Sequence, residues 1–324
     1  MTETLDTLLL LALPASGKSE LRRYLDTRSR DELAELHLRP TVQLDDYPYV
    51  HLMRRISAEL IAVGQDPVFF AASGDAWLEP RDWGVLIHLL NEDYAGLSHP
   101  MPMVPGTAAD TLLNRLDAAR LAVGAPAPFE SIGEGVRSAL CAAIEEEAFE
   151  LGRTAPVDLA AKTVVIEFAR GGPDGAQMPL NPPNGYAYSF GQLSAPILES
   201  AAILYVWVEP AESRRRNRER ARPGPVGDAS ILHHGVPEEV MRDEYGTDDM
   251  EWLMKHGGRP GTVAVHAHGR AFHLPVVRFD NRVDRTSFLR DDEASWDSER
   301  VGELHESLVD LFARLAGGLD ITAG

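Results

Sequence analysis

Cysteine is almost missing from this sequence: Cys141 is the single one in 324 residues. A disulfide framework within one chain is excluded, and a reducing compartment is expected. Cys141 lies in an apolar helical stretch and reads as a small buried hydrophobe. Long apolar runs are also missing. No stretch reaches the roughly 18 residues of a membrane span. The opening Met1-Thr2-Glu3-Thr4-Leu5-Asp6 is acidic and lacks the basic start of a signal peptide. These absences predict a cytoplasmic protein with no membrane role. Cations are scarce: 31 Lys and Arg stand against 50 Asp and Glu, a formal charge of −19. Nucleic acid selects basic surfaces, so it is not an expected partner. A small phosphorylated ligand can still be held where the few arginines gather.

What is present begins at Ala12-Leu13-Pro14-Ala15-Ser16-Gly17-Lys18-Ser19, directly after Leu8-Leu9-Leu10-Leu11. The pattern is that of a phosphate-binding loop, G-x-x-x-x-G-K-[S/T], with Ala12 replacing the first glycine. In such a loop, backbone N–H groups and a helix N-terminus cradle phosphate oxygens. The expected nucleotide-binding stretch is Pro14, Ala15, Ser16, Gly17, Lys18, Ser19 and Glu20. Lys18 is expected to reach the β- and γ-phosphates, and the Ser19 hydroxyl to hold Mg²⁺.

Strand-like and helix-like segments alternate along the chain. Strands are predicted at 5–13, 39–44, 162–168, 202–208, 262–266 and 274–279. Helices are predicted at 17–28, 50–63, 82–97, 107–123, 129–151, 190–200, 211–222 and 298–316. Residues 68–71 read as either a strand or a buried turn. The segments 99–106 and 171–185 read as loops, and a polar, mobile-looking stretch runs to about Arg259. The alternation argues an α/β fold with a parallel sheet. One domain is expected, with a helical insertion near 66–130 and a lid over 211–260.

Three further groups fall where ligands meet a parallel sheet, beyond the carboxyl ends of its strands. Asp45-Asp46-Tyr47 closes the second strand; Asp45 or Asp46 suits activation of an acceptor hydroxyl, while Asp46 also suits capping the next helix. Glu167 ends the strand 162–168 and suits Mg²⁺, with Arg170 as a phosphate or substrate clamp; a plain Glu167–Arg170 ion pair is the alternative. Arg214, Arg218 and Arg222 share one helical stripe and Arg216 and Arg220 another. Guanidinium forks match phosphate oxygens, so the first stripe is the expected clamp. The Gly74–Trp83 segment reads either as an acceptor pocket or as core anchors. His233, His234, His256, His266 and His268 fit no zinc spacing. Asp280-Asn281, after the late strand, is a candidate for contact with a nucleotide base.

Together these residues resemble the P-loop kinases of nucleosides, nucleotides and other small molecules, a group including uridine kinase, thymidylate kinase, chloramphenicol phosphotransferase and zeta-toxin-like kinases. Ala12–Ser19 matches their Walker A loop, Asp45-Asp46-Tyr47 their acceptor-activating motif, Glu167 with Arg170 their later acidic strand end, and Val206–Arg222 their arginine-rich lid. The resemblance covers 5–60, 162–172, 202–260 and 274–281, and does not cover 66–160. It implies a P-loop NTPase fold and a kinase that moves the γ-phosphoryl group of ATP, with Mg²⁺, to a hydroxyl of a nucleoside, nucleotide or sugar. Lys18, Asp45, Asp46, Arg170, Arg214, Arg218 and Arg222 would carry that reaction, and Ser19 and Glu167 would hold the metal. An ATPase or nucleotide-dependent switch acting on a protein partner is the second reading. A degenerate nucleotide-binding module is the third, against which the intact Lys18 and Ser19 argue.

Overall fold

The computed structural model describes residues 4–72, 74–99, 104–153, 156–220 and 235–322. In chain order the elements are β1 (Thr7–Leu11), α1 (Lys18–Thr27), α2 (Arg30–Glu35), β2 (Thr41–Asp45), α3 (Tyr47–Ala62), α4 (Asp82–Gly96), α5 (Ala108–Ala122) and α6 (Glu134–Gly152). They continue with β3 (Thr163–Phe168), α7 (Gly185–Gln192), α8 (Ala195–Ser200), β4 (Ala201–Trp207), α9 (Pro210–Arg220), α10 (Glu238–Asp243), α11 (Met250–His256), β5 (Thr262–Ala267), β6 (Arg270–Asp280) and α12 (Ser298–Thr322). Among the described residues no helix is long and apolar enough to cross a membrane.

The fold is α/β. Six strands form one sheet in the order β2-β3-β1-β4-β6-β5, and only β5 runs antiparallel to its neighbour. β1 is central because its Thr7-Leu8-Leu9-Leu10-Leu11 run is apolar on both faces and fully buried. Alternation then divides the run. Leu8 and Leu10 join Leu21, Tyr24 and Leu25 of α1 and Leu308, Phe312 and Leu315 of α12. Leu9 and Leu11 join Ile87 and Leu90 of α4 and Tyr186 and Phe190 of α7 on the other face. From β1 the chain steps one way to β2 and β3, then the other way to β4 and β6. That reversal leaves a crevice at the carboxyl ends of β1 and its neighbours.

Between β2 and β3 the chain builds a helical cluster of its own. Leu52, Met53 and Ile56 of α3, Leu86 and Leu89 of α4, Leu112 and Leu116 of α5 and Leu140 and Ile144 of α6 pack together. Cys141 is half-buried against this cluster.

Several expectations change. The helix predicted over 190–200 is two helices, broken where Leu193 and Ser194 are extended. Asn91 holds the break, donating to Gln192 O at 2.8 Å and accepting from Ser194 N at 2.9 Å. The helix predicted from Phe129 starts only at Glu134, because Asp117 of α5 captures the Phe129 and Glu130 amides at 3.1 and 2.6 Å. Val68–Ala71 is not a strand; Phe70 makes one isolated bridge to Trp77. The stretch 235–259 is helical and packed, with Val240, Met241 and Met250 buried. Residues 262–280 form a hairpin through His268 and Gly269, both at positive φ.

The stretch 235–259 caps α7 from outside. Buried Asp249 accepts from Tyr186 N at 2.6 Å and Ala187 N at 3.1 Å. Gly185, at φ +82°, is packed so closely that a Cβ would lie 2.6 Å from Asp249 Oδ2. Asp249→Ala leaves the buried Tyr186 N–H and the part-buried Ala187 N–H without this partner and is expected to cost about 1–3 kcal/mol. Urea denaturation checks this; an unchanged midpoint would show that the cap contributes nothing.

Candidate functional site

Residues 12–17 connect β1 to α1 with their carbonyls tied from outside. Ala12 O accepts from Tyr186 Oη at 3.1 Å, Pro14 O from Ser213 Oγ at 2.7 Å and Ser16 O from Asn281 Nδ2 at 2.8 Å. In a planar trans peptide the next N–H points away from the carbonyl. The ties at Pro14 and Ser16 therefore direct the Ala15 and Gly17 N–H groups to the opposite side. Both residues have positive φ, 57° and 104°. That region is rare for a residue with a side chain, so Ala15 is strained. Among the described residues the backbone N–H groups of 15–20 have no partner. Gly17 is required on two counts: its φ, and a Cβ there would sit 2.4 Å from Thr286 Oγ1 and 2.5 Å from Asn281 Nδ2.

This loop lines a cavity of about 330 Å³ that also reaches Asp45, Asp46 and Glu167. Strand register accounts for the meeting: Glu167 is paired with Leu10 on one side and Asp45 on the other. Lys18 Nζ lies 3.4 Å from Glu167 Oε1, and Ser19 Oγ donates to that oxygen at 3.3 Å. Arg22, one helical turn beyond Lys18, reaches Glu167 Oε2 at 2.9 Å and donates to Asp45 Oδ2 at 2.8 Å. Burial pushes the Glu167 carboxyl upward, with Lys18 and Arg22 opposing and Asp45 reinforcing the shift.

The adjacent aspartates divide their tasks. Asp45 Oδ1 accepts from Tyr47 N at 2.9 Å, so Asp45, not Asp46, supplies the side-chain bond at the start of α3. Asp46 lies beyond the strand, so strand alternation does not separate the two, and both face the cavity. Asp46 Oδ2 accepts from Arg170 Nη1 at 2.6 Å; among the described residues Oδ1 accepts no hydrogen bond. Burial pushes the Asp46 carboxyl upward and Arg170 pulls it down. Arg170 itself is buried. It donates to Ser189 Oγ at 3.1 Å and lies over the Trp83 ring at 4.7 Å. Arg170 thus pairs with Asp46 rather than Glu167, and it stands behind the cavity wall.

The arginine helix is rotated from expectation. Arg214 donates to Gly246 O and lies 3.4 Å from Asp174; exposed Arg218 pairs with Glu238. Neither lines the cavity, while Asn217 and Arg220 do. The Ser213 bond to Pro14 O sets this rotation, turning the face of Ser213, Asn217 and Arg220 inward. Arg220 Nη2 donates at 2.8 Å to Glu20 Oε1, a fully buried carboxylate that also accepts from Arg290 Nε at 2.6 Å. Arg216 is structural, bonded to Glu212 and to Asn281 O. Asn281 braces the loop, and Asp280 pairs with Arg282 at the surface. Arg222, His233 and His234 lie outside the described residues.

Sequence reasoning missed Arg22, Ser213, Tyr186, Glu244 and Tyr245. A signal existed for Arg22, four residues after Lys18 on a helix. The others are brought in by packing alone. Comparison with family models, curated proteins and solved structures returned no match to this chain.

Removing one member of a buried ion pair strands the other. Asp46→Ala leaves Arg170 uncompensated and is expected to cost about 3–5 kcal/mol. Asp45→Ala leaves Arg22 paired with Glu167 and removes the side-chain bond at the start of α3, and is expected to cost about 1 kcal/mol. Equal losses in urea denaturation would contradict this division.

Proposed function

We propose that this chain is an ATP-dependent phosphotransferase acting on a hydroxyl of a small molecule, with a P-loop NTPase fold. One observation carries the reading: a loop with oriented, unpartnered N–H groups shares a cavity with a carboxylate oxygen left free on Asp46. The first suits phosphate and the second suits an acceptor hydroxyl. Nucleosides, nucleotides and sugars are among the small hydroxylated acceptors that would suit it.

The donor set fits a nucleotide. Among the described residues the N–H groups of 15–20 and the buried Ser16 Oγ have no partner, and Lys18 and Arg220 face the cavity. Among the described residues no three His, Cys, Asp or Glu side chains are placed to hold a metal ion. Mg²⁺ is commonly bound by one or two protein oxygens together with phosphates, and Ser19 and Glu167 match that pattern. When bound, Mg²⁺ would screen the phosphate charge.

Asp46 Oδ1 takes the proton of the acceptor hydroxyl. The acceptor oxygen bonds to the γ-phosphorus as the bond to the β–γ bridging oxygen breaks, and ADP leaves. Arg170 holds Asp46 in place from behind, and Asp45 orients the start of α3. Lys18 and Arg220 offset the charge of the moving group. α9 and residues 235–260, both of which border the cavity, would form the lid, excluding water.

Radiolabelled ATP with a panel of alcohols tests the reading. Asp46→Asn is expected to lower kcat about 100- to 10,000-fold with little change in KM for ATP. Lys18→Ala is expected to abolish ATP binding in calorimetry. Hydrolysis at the same rate with every acceptor, unaffected by Asp46→Asn, would favour an ATPase or switch instead.

A further inference from the structure

The cavity continues past Asp46 into a wall that the phosphates would not reach. Phe70 and Trp77 have ring centroids 4.3 Å apart, Trp77 and Trp83 5.3 Å, and Trp83 and Tyr245 5.7 Å. Two arginines already lie against these rings: Arg54 over Phe70 at 4.2 Å and Arg170 over Trp83 at 4.7 Å.

The acids of the cavity differ in one respect. Glu20, Asp45, Asp46, Asp75 and Glu167 each have a cationic partner within ion-pair distance. Glu244 has none among the described residues; its one hydrogen bond is from Trp77 N, at 3.3 Å. A half-buried carboxylate against aromatic rings, with no cation in ion-pair contact among the described residues, suits a ligand that brings one.

We propose that the acceptor end of the cavity takes a hydroxyl-bearing cationic amine, with Glu244 as its counter-ion and the rings of Trp77, Trp83 and Tyr245 as its wall. This rests on the phosphotransferase reading for the role of the hydroxyl, but not for the binding of the cation. Burial pushes the Glu244 carboxyl up to about 7; Arg54 opposes the shift, and Asp243 and Asp75 add to it. A cation is held by the ionised form. Binding therefore tightens as pH rises through about 7 and weakens below it.

The experiment uses choline, whose charge does not change with pH, against its uncharged isostere 3,3-dimethylbutan-1-ol. Binding is followed by tryptophan fluorescence and calorimetry without nucleotide. Choline is expected to bind about tenfold or more tightly than the isostere, and more tightly at pH 8 than at pH 6. Glu244→Gln is expected to remove both differences. The isostere and pH comparisons on the unaltered protein stand even where that variant fails to fold. Absent choline binding, equal binding of the two alcohols, or a preference that survives Glu244→Gln would overturn the proposal. ATP titration of the same samples separates the two ideas. ATP binding without choline binding defeats only the amine assignment, and choline binding without ATP binding defeats only phosphoryl transfer.

Discussion

The site depends on the outward anchoring of three carbonyls between Ala12 and Ser16. Each anchor comes from a different part of the chain: Tyr186 on α7, Ser213 on α9 and Asn281 after β6. A loop free to turn would satisfy its own amides or expose them to water. Here the peptide planes are fixed before any ligand arrives, and the strain at Ala15 is held by these contacts. Much of the surrounding architecture follows. Tyr186 requires α7 to start at Gly185, and that start requires Asp249. Ser213 fixes the rotation of α9 and so decides which of its arginines face inward.

Charge is arranged on the same principle. A chain of net charge −19 concentrates acids at its crevice and then matches nearly all of them with arginine or lysine. Arg22 spans Asp45 and Glu167, Arg170 supports Asp46 from behind, and Arg220 with Arg290 encloses Glu20. The matching holds several carboxylates at close quarters without mutual repulsion dominating. It also sets Glu244 apart, the one acid of the cavity without an ion-pair partner among the described residues.

The sequence carried the local parts of this picture well. The apolar run 8–11, the Gly17-Lys18-Ser19 turn and the acidic strand end at Asp45-Asp46 are contiguous signals, and each falls at the expected place beside a mostly parallel sheet. Glu167 was readable for the same reason, at the end of Val164-Val165-Ile166. Partners were not readable. Position in sequence suggests Arg170 as a clamp on the ligand, or else as the partner of nearby Glu167; packing instead sets it behind the wall against Asp46. Arg214 and Arg218 were chosen by helical spacing, which defines a stripe but not the rotation of the helix. Tyr245 and Glu244 carry no local pattern; they reach the cavity because 235–259 folds back over it. The hairpin of β5 and β6 was seen as two strands but not as a pair, because the exposed start of β6 lacks an apolar run.

The central position of β1 has a consequence in time. Thr7 pairs in register with Val164 on one side and Ala201 on the other. At synthesis rates of about 5–20 residues per second, the first partner of this run of leucines emerges roughly 10–30 s after it. Until then its backbone groups and both of its apolar faces have no sheet to join. Contacts this distant in sequence make folding slow and leave an aggregation-prone segment in view. The two-sided burial of β1 in the finished molecule thus leaves it waiting, uncovered, while the chain is still being made.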